Sequence, residues 1–208
     1  MVPAPRARRV GLLGGSFDPV HNAHLALAHS ALASLALDEL LWIPAGAPWQ
    51  KARELAPAAQ RAEMVRLAIA GEPRFRFEPC EIERAGPSYT IDTVLQLQAR
   101  EPPALWFLVI GQDQLARLPT WHRWRELAVR VTLAVANRSG DAPCAPAELA
   151  ELAESGPALA EIPLPPMATS STDLRARIAA GRDIAALVPA AVARYIADHG
   201  LYRHPLRS

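Results

Sequence analysis

Short runs of consecutive apolar residues alternate along the chain with segments in which apolar residues recur every three or four positions. Runs of the first kind predict buried strands, and segments of the second kind predict helices with one apolar face. A chain that alternates in this way is typical of an α/β fold with a doubly wound parallel sheet. The predicted strands lie at residues 10–13, 39–43, 75–78, 106–110, 131–136 and 158–162. The predicted helices lie at residues 22–36, 58–70, 90–99, 115–117, 124–128, 147–154, 171–180 and 189–198.

The length of the chain favours a single domain. Its 208 residues suffice for one α/β domain with a sizeable core and are too few for two. We predict a disordered leader at residues 1–8 and one domain at residues 9–208 that ends in helices. The stretch at residues 141–157 is rich in Ala, Pro and Glu, and we expect the loosest structure there.

Charge, cysteine content and hydropathy narrow the class of protein. A formal net charge of +1 argues against a surface that coats nucleic acid. Cys80 and Cys144, in a chain without a secretory segment, indicate reduced thiols, and we assign neither a catalytic role. No apolar run approaches the roughly 20 residues of a membrane span, so we expect a cytoplasmic protein without a membrane partner. The sequence leaves open whether the chain forms a homo-oligomer.

The run at residues 14–24 reads Gly-Gly-Ser-Phe-Asp-Pro-Val-His-Asn-Ala-His and lies between a predicted strand and a predicted helix. Anions bind at such junctions because the N–H groups of the first helical turn and the helix dipole favour negative charge. Glycine also lets the backbone approach a ligand closely. His21 and His24, three residues apart, can both face one pocket and donate to an anion. The predicted nucleotide site also includes Gly14, Gly15, Ser16 and Phe17.

Common phosphate, dinucleotide and zinc motifs fit this run less well. A P-loop requires Gly-x4-Gly-Lys-Ser/Thr, but the only lysine of the chain, Lys51, lies far from these glycines. The dinucleotide fingerprint Gly-x-Gly-x-x-Gly is absent after the strand. Helical zinc motifs place two histidines four residues apart with a glutamate between them, and we predict no protein-bound metal. A glycine turn followed by two ordinary surface histidines stays an alternative.

The same run resembles the signature of the nucleotidyltransferase superfamily, whose core is a His-x-Gly-His element; Ala23 stands where that element usually has glycine. Four later segments, at residues 44–51, 83–93, 110–124 and 169–175, are similar to segments of bacterial nicotinate mononucleotide adenylyltransferases. The resemblance extends from Arg9 to Tyr202. It implies a Rossmann-like nucleotidyltransferase fold and an enzyme that uses ATP.

The segment at residues 44–51 is rich in Pro and Gly and contains Lys51, the only lysine among 22 Lys and Arg residues. The other basic residues of the chain are arginines, so a lone lysine indicates a position that needs a compact, mobile ammonium group. Such a group can follow a phosphate through a reaction. A solvated surface charge is the plain alternative. Members of the resembled family often have Pro-His-Lys here, whereas this chain has Trp49-Gln50-Lys51, so the resemblance implies only the role of the lysine.

The segment at residues 169–175, Thr-Ser-Ser-Thr-Asp-Leu-Arg, places several hydroxyls before a predicted helix and an arginine in its first turn. One hydroxyl can cap the helix while other N–H groups stay available for phosphate, and Arg175 can add a forked pair of charge-assisted bonds. Taken alone, the pattern favours a simple helix cap with Asp173 in the first turn. The resemblance to a Ser-Ser-Thr-x-Ile-Arg element implies that the ligand is the β,γ-diphosphate of ATP. The implied binding residues are Ser170, Ser171, Thr172 and Arg175.

A second glycine turn, Gly111-Gln112-Asp113, follows the fourth predicted strand. A carboxylate near a strand end suits the hydroxyls of a ribose. Asp113 can also cap the helix that follows, and both roles can hold together. The resemblance implies that Gly111 and Asp113 face the adenylyl moiety.

The resemblance implies an enzyme that uses a second substrate besides ATP. The segment at residues 83–93 and Trp121 indicate what that substrate is. Backbone N–H groups near Tyr89 and Thr90, at a predicted helix start, can hold a small carboxylate. The indole of Trp121 offers a face on which a pyridine ring can stack, although a tryptophan pair at this spacing is usually part of a core. The resemblance selects Trp121 for stacking. Arg138, just past the fifth predicted strand, is a candidate partner for the phosphate of this substrate.

The implied reaction is attack by the phosphate of nicotinate mononucleotide on the α-phosphorus of ATP, which gives nicotinate adenine dinucleotide and pyrophosphate without a covalent enzyme intermediate. Magnesium is expected to arrive on the ATP phosphates, because no protein cage for it is evident. The implied catalytic residues are His21, His24, Lys51 and Arg175. Two alternatives stay open: a pantetheine-phosphate adenylyltransferase, which shares the histidine and Ser-Ser-Thr elements, and a nucleotide-binding regulator without activity.

Overall fold

The computed structural model describes residues 6–46, 55–137, 144–150, 152, 158–165, 167 and 169–203. The strands are β1 (Arg8–Gly15), β2 (Glu39–Pro44), β3 (Phe75–Phe77), β4 (Ala104–Gly111), β5 (Thr132–Asn137) and β6 (Leu159–Pro163). The helices are α1 (Asn22–Ser34), α2 (Ala58–Ile69), α3 (Cys80–Glu83), α4 (Thr90–Arg100), α5 (Gln112–Arg117), α6 (Trp124–Arg130), α7 (Ala147–Ala150), α8 (Ser171–Ala179) and α9 (Ala190–Asp198). A short 3-10 helix, Leu118–Thr120, follows α5.

The strands form one parallel sheet in the order β3-β2-β1-β4-β5-β6. β1 pairs with β2 through Gly14 opposite Ile43, and with β4 through Leu12 opposite Leu108. The first three strands therefore lie side by side in one half of the sheet, and the last three lie in the other half, with β1 and β4 adjacent at the centre. In such sheets the crevice for ligands lies at the carboxyl ends of the strands where the order reverses. Here that point is the gap between the ends of β1 and β4.

The two faces of the sheet are covered by different helices because successive side chains of a strand point to opposite faces. Leu13 packs in a core with α1, α2, α8 and α9, and Leu12 packs in a core with α4, α5 and α6. Each fully buried aliphatic side chain contributes about 1.5–3 kcal/mol to stability. The C-terminal helices α8 and α9 thus close the core on the face that also carries α1. The α/β class, the doubly wound sheet and the single domain with C-terminal helices are confirmed.

Several boundaries differ from the sequence-based expectation. β1 begins at Arg8, inside the predicted leader, because Arg8 pairs with Ala104 of β4; residues 1–5 lie outside the described residues. The four-residue helix α3 was not predicted, since it is too short to show a periodicity. α7 is described over Ala147–Ala150 only, and most of the rest of the segment at residues 141–157 is not among the described residues. None of the helices in the described part of the chain is long and apolar enough to cross a membrane.

Cys80 is an inert structural thiol. Its side chain is buried at the start of α3, and Cys144 is exposed and also free. Burial first, and then the nearby Glu78 and Glu81, raise the pKa of Cys80 to about 12. The thiolate, which is the nucleophilic form, is therefore not populated at neutral pH.

Candidate active site

Two adjoining pockets open at the carboxyl ends of β1 and β4. The larger has a volume of about 900 Å³ and the smaller about 170 Å³. Both are lined by the loop after β1, at Gly14, Gly15 and Ser16. Among the predicted nucleotide-binding and catalytic residues, the larger pocket brings together Gly14, Gly15, Ser16, Phe17, His21, His24, Gly111, Asp113, Ser170, Ser171, Thr172 and Arg175. The smaller pocket brings together Tyr89, Thr90 and Trp121.

The loop after β1 forms the wall that the two pockets share. A Cβ added at Gly14 would meet no atom within 4 Å, so this residue leaves open space beside the backbone. Phe17 has a φ of 46°, a left-handed conformation, and its side chain is 1% exposed. Its ring contacts Trp42 and His24 at centroid distances of 5.4 and 5.1 Å. Phe17 therefore shapes the pocket wall and supports His24 from the core.

His21 and His24 lie side by side at the start of α1. Their ring centroids are 3.7 Å apart, with 26° between the planes, and both rings line the larger pocket. The backbone N–H of His21 donates to Nδ1 of His24 at 3.2 Å, so the neutral His24 ring carries its proton on Nε2. Burial first, and then the neighbouring His21, lower the pKa of His24 well below the ordinary value of histidine. His24 is therefore a neutral N–H donor at physiological pH.

The hydroxyls at the start of α8 are engaged with protein groups. Ser170 Oγ caps the helix by accepting from the backbone N–H of Asp173 at 3.1 Å, which is the role that the simple-cap alternative assigned to this segment. Ser171 Oγ donates to the carbonyl oxygen of Pro19 at 3.0 Å and so joins α8 to the loop after β1. The first N–H groups of a helix have no partner within the helix. The groups of this segment best suited to an anion are therefore backbone N–H groups, and the hydroxyls hold them in place.

Arg175 extends from the first turn of α8 toward the loop after β1. Its Nη1 donates to the carbonyl oxygen of Asp18 at 2.7 Å, and its Nη2 donates to Thr172 Oγ1 at 3.1 Å. The side chain is 15% exposed and lines the larger pocket. These two bonds orient the guanidinium at the wall of the larger pocket.

A glycine turn at the end of β4 forms the opposite wall of the larger pocket. Gly111 is the N-cap of α5, and its N–H donates to Gln114 Oε1 at 3.2 Å. A Cβ at Gly111 would lie 2.7 Å from Asp113 Oδ1, so a side chain at this position would displace the carboxylate. Gln114, which the sequence analysis did not single out, lines both pockets. Because its Oε1 already accepts a bond, its amide N–H2 is the group left to face a ligand.

The smaller pocket is built on the start of α4. Tyr89 is the N-cap residue, no side chain caps the helix, and the first helical bond from this end is donated by Asp92. Trp121 packs against the core beneath the pocket with its indole partly buried. His122, a further pocket residue that was not predicted, lies against the Tyr89 ring at a centroid distance of 4.4 Å. Helix N–H groups and aromatic faces thus converge on one small cavity.

One buried acid, Glu81, also lines the smaller pocket. Thr93 Oγ1 donates to its Oε1 at 2.8 Å, and Arg84 Nη1 donates to the same Thr93 oxygen at 3.1 Å. Burial raises the pKa of the Glu81 carboxyl, and the bond from Thr93 and the charge of Arg84 offset only part of this effect. The charged form of Glu81 is therefore less favourable in this pocket than in water.

Arg61, a buried cation on α2, fixes the loops around the larger pocket. Its Nη1 donates to the carbonyl oxygen of Ser16 at 2.8 Å, its Nε to Ala56 at 2.9 Å and its Nη2 to Gly46 at 3.3 Å. The side chain is 1% exposed. Arginine on an amphipathic helix is ordinarily exposed, so the sequence carried no signal of this role.

Two predicted residues, Lys51 and Arg138, lie outside the described residues. Arg138 follows directly after Asn137, the last residue of β5, which is buried and lines the larger pocket. Within the described ranges, no group of three or more His, Cys, Asp or Glu side chains could hold a metal ion. The polar groups that do surround the larger pocket are mainly donors, which suit the oxygens of an anion.

Comparisons with known proteins agree with this geometry. The family model of Cytidylyltransferase-like proteins matches residues 12–177. A relative from Methylibium petroleiphilum, named probable nicotinate-nucleotide adenylyltransferase, is 56% identical over 95% of this chain and 94% of its own length. A relative of the same name from Bordetella petrii is 54% identical over 94% of this chain and 100% of its own.

A solved structure supports the fold. The nicotinic acid mononucleotide adenylyltransferase of Plasmodium falciparum, complexed with NaAD, superposes with a TM-score of 0.75 at 17% identity, over 96% of this chain and 100% of that one. This similarity confirms the Rossmann-like nucleotidyltransferase fold that the resemblance implied. Together, the matched family model and the relatives that share about half of its residues establish that the chain belongs to the cytidylyltransferase-like family.

Proposed function

We propose that this chain is a nicotinate-nucleotide adenylyltransferase, which transfers the adenylyl group of ATP to nicotinate mononucleotide in the biosynthesis of NAD. The observation that carries the proposal is the loop after β1, which lines both a larger, donor-rich pocket and a smaller, aromatic one. A group transfer between two substrates requires their reacting atoms to meet in one place. Gly14, which leaves open space on this loop, is where the two phosphates would meet.

The larger pocket would hold ATP. In the proposed arrangement, Gly111 and Asp113 face the adenosine, while Arg175 and the N-terminus of α8 face the β- and γ-phosphates. Arg175 is suited to this role because two bonds already orient its guanidinium, and a preoriented donor loses less entropy on binding. Lys51 is proposed to act on the same leaving group.

The chemical step needs alignment and charge stabilisation. The attacking phosphate of nicotinate mononucleotide is an anion at neutral pH, so no strong base is required. His24 is a neutral donor with its proton on Nε2, and it is proposed to donate to an oxygen of the α-phosphate as negative charge develops there. A neutral donor can keep its proton throughout, because the pyrophosphate leaves as an anion. His21, stacked on His24, is proposed to hold the ring in line.

Magnesium enters this scheme as part of the substrate Mg–ATP. Mg²⁺ usually keeps several waters and binds phosphate oxygens. The neutral and cationic donors described above complement the phosphate oxygens that the ion leaves uncovered. Bound to the outer phosphates, the ion would neutralise part of the charge of the departing pyrophosphate.

The smaller pocket would hold the nicotinate group. The N–H groups at the start of α4 are proposed to bind its carboxylate, and Trp121 to stack on the pyridine ring. Arg138 is proposed to bind the phosphate of this substrate.

The experiment is an assay of pyrophosphate release from Mg–ATP with three acceptors: nicotinate mononucleotide, nicotinamide mononucleotide and pantetheine phosphate. We expect release with nicotinate mononucleotide, matched mole for mole by nicotinate adenine dinucleotide. Preference for pantetheine phosphate would contradict the proposed acceptor. Nucleotide binding without release from any acceptor would identify a binding protein instead.

A further inference from the structure

The parallel sheet splits at its carboxyl edge, between its two central strands. The pairing of β1 with β4 ends at Leu12 opposite Leu108, although β1 continues to Gly15 and β4 to Gly111. Each strand keeps its outer neighbour to its end, β2 in one case and β5 in the other. The last residues of β1 and β4 therefore border a gap between the two halves of the sheet.

Six described residues line both the larger and the smaller pocket. Five belong to the ends of β1 and β4 and to the loop after β1, and the sixth lies in the first turn of α5; they are Gly14, Gly15, Ser16, Val109, Ile110 and Gln114. Among these six, Ser16 and Gln114 carry polar side chains. Gln114 thus places an amide at the junction of the pockets, where the reacting groups of two substrates have to meet.

The backbone of Gly111 fixes the orientation of the Gln114 amide. The N–H of Gly111 lies 3.2 Å from Oε1 and needs an acceptor, so the oxygen of the amide is on this side and Nε2 is on the other. Within the described part of the chain, the Gln114 side chain makes this hydrogen bond and no other. The residue is exposed, so a ligand can reach the two N–H donors of Nε2.

We propose that Gln114 is a further substrate-binding residue, whose two N–H donors bind an oxygen of the α-phosphate of ATP and an oxygen of the phosphate of nicotinate mononucleotide. The two phosphates repel each other, and a donor shared between them offsets part of that repulsion while it aligns them for attack. Nε2 keeps both protons throughout the reaction. The inference rests on the proposed function, since it requires both nucleotides to reach the junction.

A capping role alone is the alternative, because the bond from Gly111 already makes Gln114 part of the cap of α5. Two substitutions separate the roles. Gln114→Glu keeps an oxygen for the Gly111 N–H but replaces the N–H2 group by a second oxygen, whereas Gln114→Met removes both polar groups. If Gln114 only caps the helix, Gln114→Met should be the weaker enzyme. If its N–H2 group binds phosphates, Gln114→Glu should be the weaker one, because an anion then faces the phosphates.

We expect kcat/KM for nicotinate mononucleotide, measured at saturating Mg–ATP, to fall about tenfold in Gln114→Met and about a hundredfold in Gln114→Glu, the range for lost bonds to charged groups. The dissociation constant of nicotinate adenine dinucleotide, which contains both phosphates, should rise in the same order by calorimetry, without turnover. The Tm of the ligand-free Gln114→Glu variant should stay within about 2 °C of the parent, because the cap is kept.

The matched control is Gln98→Glu on α4. Gln98 donates to the carbonyl oxygen of Arg130 and lines neither the larger nor the smaller pocket. This variant adds the same negative charge to the protein and should keep the activity of the parent. The dissociation constants of Mg–ATP and of nicotinate mononucleotide, each measured alone, should both rise in Gln114→Glu and stay unchanged in Gln98→Glu.

Three outcomes would overturn the inference. An active parent with a Gln114→Glu variant no weaker than Gln114→Met identifies a capping residue, and the proposed function then stands without this contact. A loss of affinity for one nucleotide and not for the other places Gln114 in a single pocket and removes the shared contact. A parent that releases no pyrophosphate with nicotinate mononucleotide overturns the proposed function, and the inference with it.

Discussion

The two ends of the parallel sheet use charged residues in opposite ways. At the amino end, carboxylates and guanidiniums pair with one another across the starts of the strands. At the carboxyl end, the described cations Arg61 and Arg175 bind backbone oxygens of the pocket loop, and neutral donors surround an open cleft. The contrast teaches that charge content does not identify a ligand site; what matters is whether donors are directed at other parts of the protein or at open space.

Glu101, just before β4, is an example of this pairing of carboxylates with guanidiniums at the amino end. Its carboxylate lies 2.9 Å from Arg76, 3.4 Å from Arg100 and 3.5 Å from Arg8. Burial raises its pKa, but the three guanidiniums outweigh burial and lower the pKa overall. An anion arriving here would compete with carboxylates already in place. The charges of this cluster therefore bind one another and stabilise the fold.

The largest effect is expected at the carboxyl end, from His24→Ala. Loss of one preorganised donor to the transition state should lower kcat by roughly 10² to 10³ while changing ATP affinity less. Steady-state pyrophosphate release by the purified variant is the measurement. The matched control is His29→Ala on the same helix, since His29 lies at the surface beside Glu72. A kcat for His24→Ala within a few-fold of the parent would rule out the proposed role.

Arg175→Ala should have the next largest effect. A charge-assisted bond to the outer phosphates contributes about 1.5–3 kcal/mol, so pyrophosphate affinity should fall roughly 10- to 150-fold. The loss should be seen in both directions of the reaction, by calorimetry with magnesium pyrophosphate and by the KM for ATP. Arg177→Ala, two residues further along α8 and exposed, should leave both values unchanged. Equal affinities for the parent and Arg175→Ala would remove Arg175 from the site.

The smaller pocket should distinguish an acid from an amide. N–H donors at Tyr89 and Thr90 can pair with both carboxylate oxygens, whereas an amide NH2 meets a donor and leaves an N–H unpaired, which costs about 1–3 kcal/mol. Competition kinetics with nicotinate and nicotinamide mononucleotides measure this preference. Glu81 is the group that could reverse it, because an unshielded carboxylate there would accept from the amide. Equal kcat/KM for the two acceptors would remove the reason for placing the carboxylate at the start of α4.

Trp121→Ala should weaken both acceptors alike. Stacking of a ring on an aromatic side chain contributes about 1–3 kcal/mol and does not distinguish an acid from an amide. Trp121→Phe keeps an aromatic face and should restore most of the binding. If Trp121→Ala changed the acid-to-amide ratio instead of both affinities, the indole would have a polar role and not a stacking one.

Local features of the sequence predicted much of this carboxyl end. The glycine run and the histidines at 21 and 24 lie within one strand-to-helix junction, so their convergence follows from short-range geometry. The contact between Tyr202 and Asp18 joins residues 184 positions apart, and no periodicity records such a pairing. The burial of Arg61 was equally hidden, because it depends on three carbonyl groups that meet only in the folded chain. Sequence thus predicted the polar groups that face the cleft better than the groups that hold them.

The smallest effect is expected at the amino end, from Glu101→Gln. Removing this carboxylate should lower the free energy of unfolding by about 1 kcal/mol at pH 7, the upper range for ion pairs that water partly screens. Activity should not change, since Glu101 lines neither the larger nor the smaller pocket. Glu126→Gln, in the more exposed pairs of α6 with Arg123 and Arg130, should cause a smaller loss.

The parent and Glu101→Gln should differ in the free energy of unfolding, and the pH dependence of that difference tests whether it is electrostatic. Because the folded protein lowers the pKa of Glu101, its stabilisation is fully present above the unfolded value of about 4.3 and is lost as the pH falls through the lower folded value. Urea unfolding of the parent and Glu101→Gln should therefore give a constant difference from about pH 5 to pH 7 that shrinks toward pH 3. A difference that persists at pH 3 would mean that Glu101 stabilises the fold by packing. A loss of turnover in Glu101→Gln would mean that the two ends of the sheet are coupled after all.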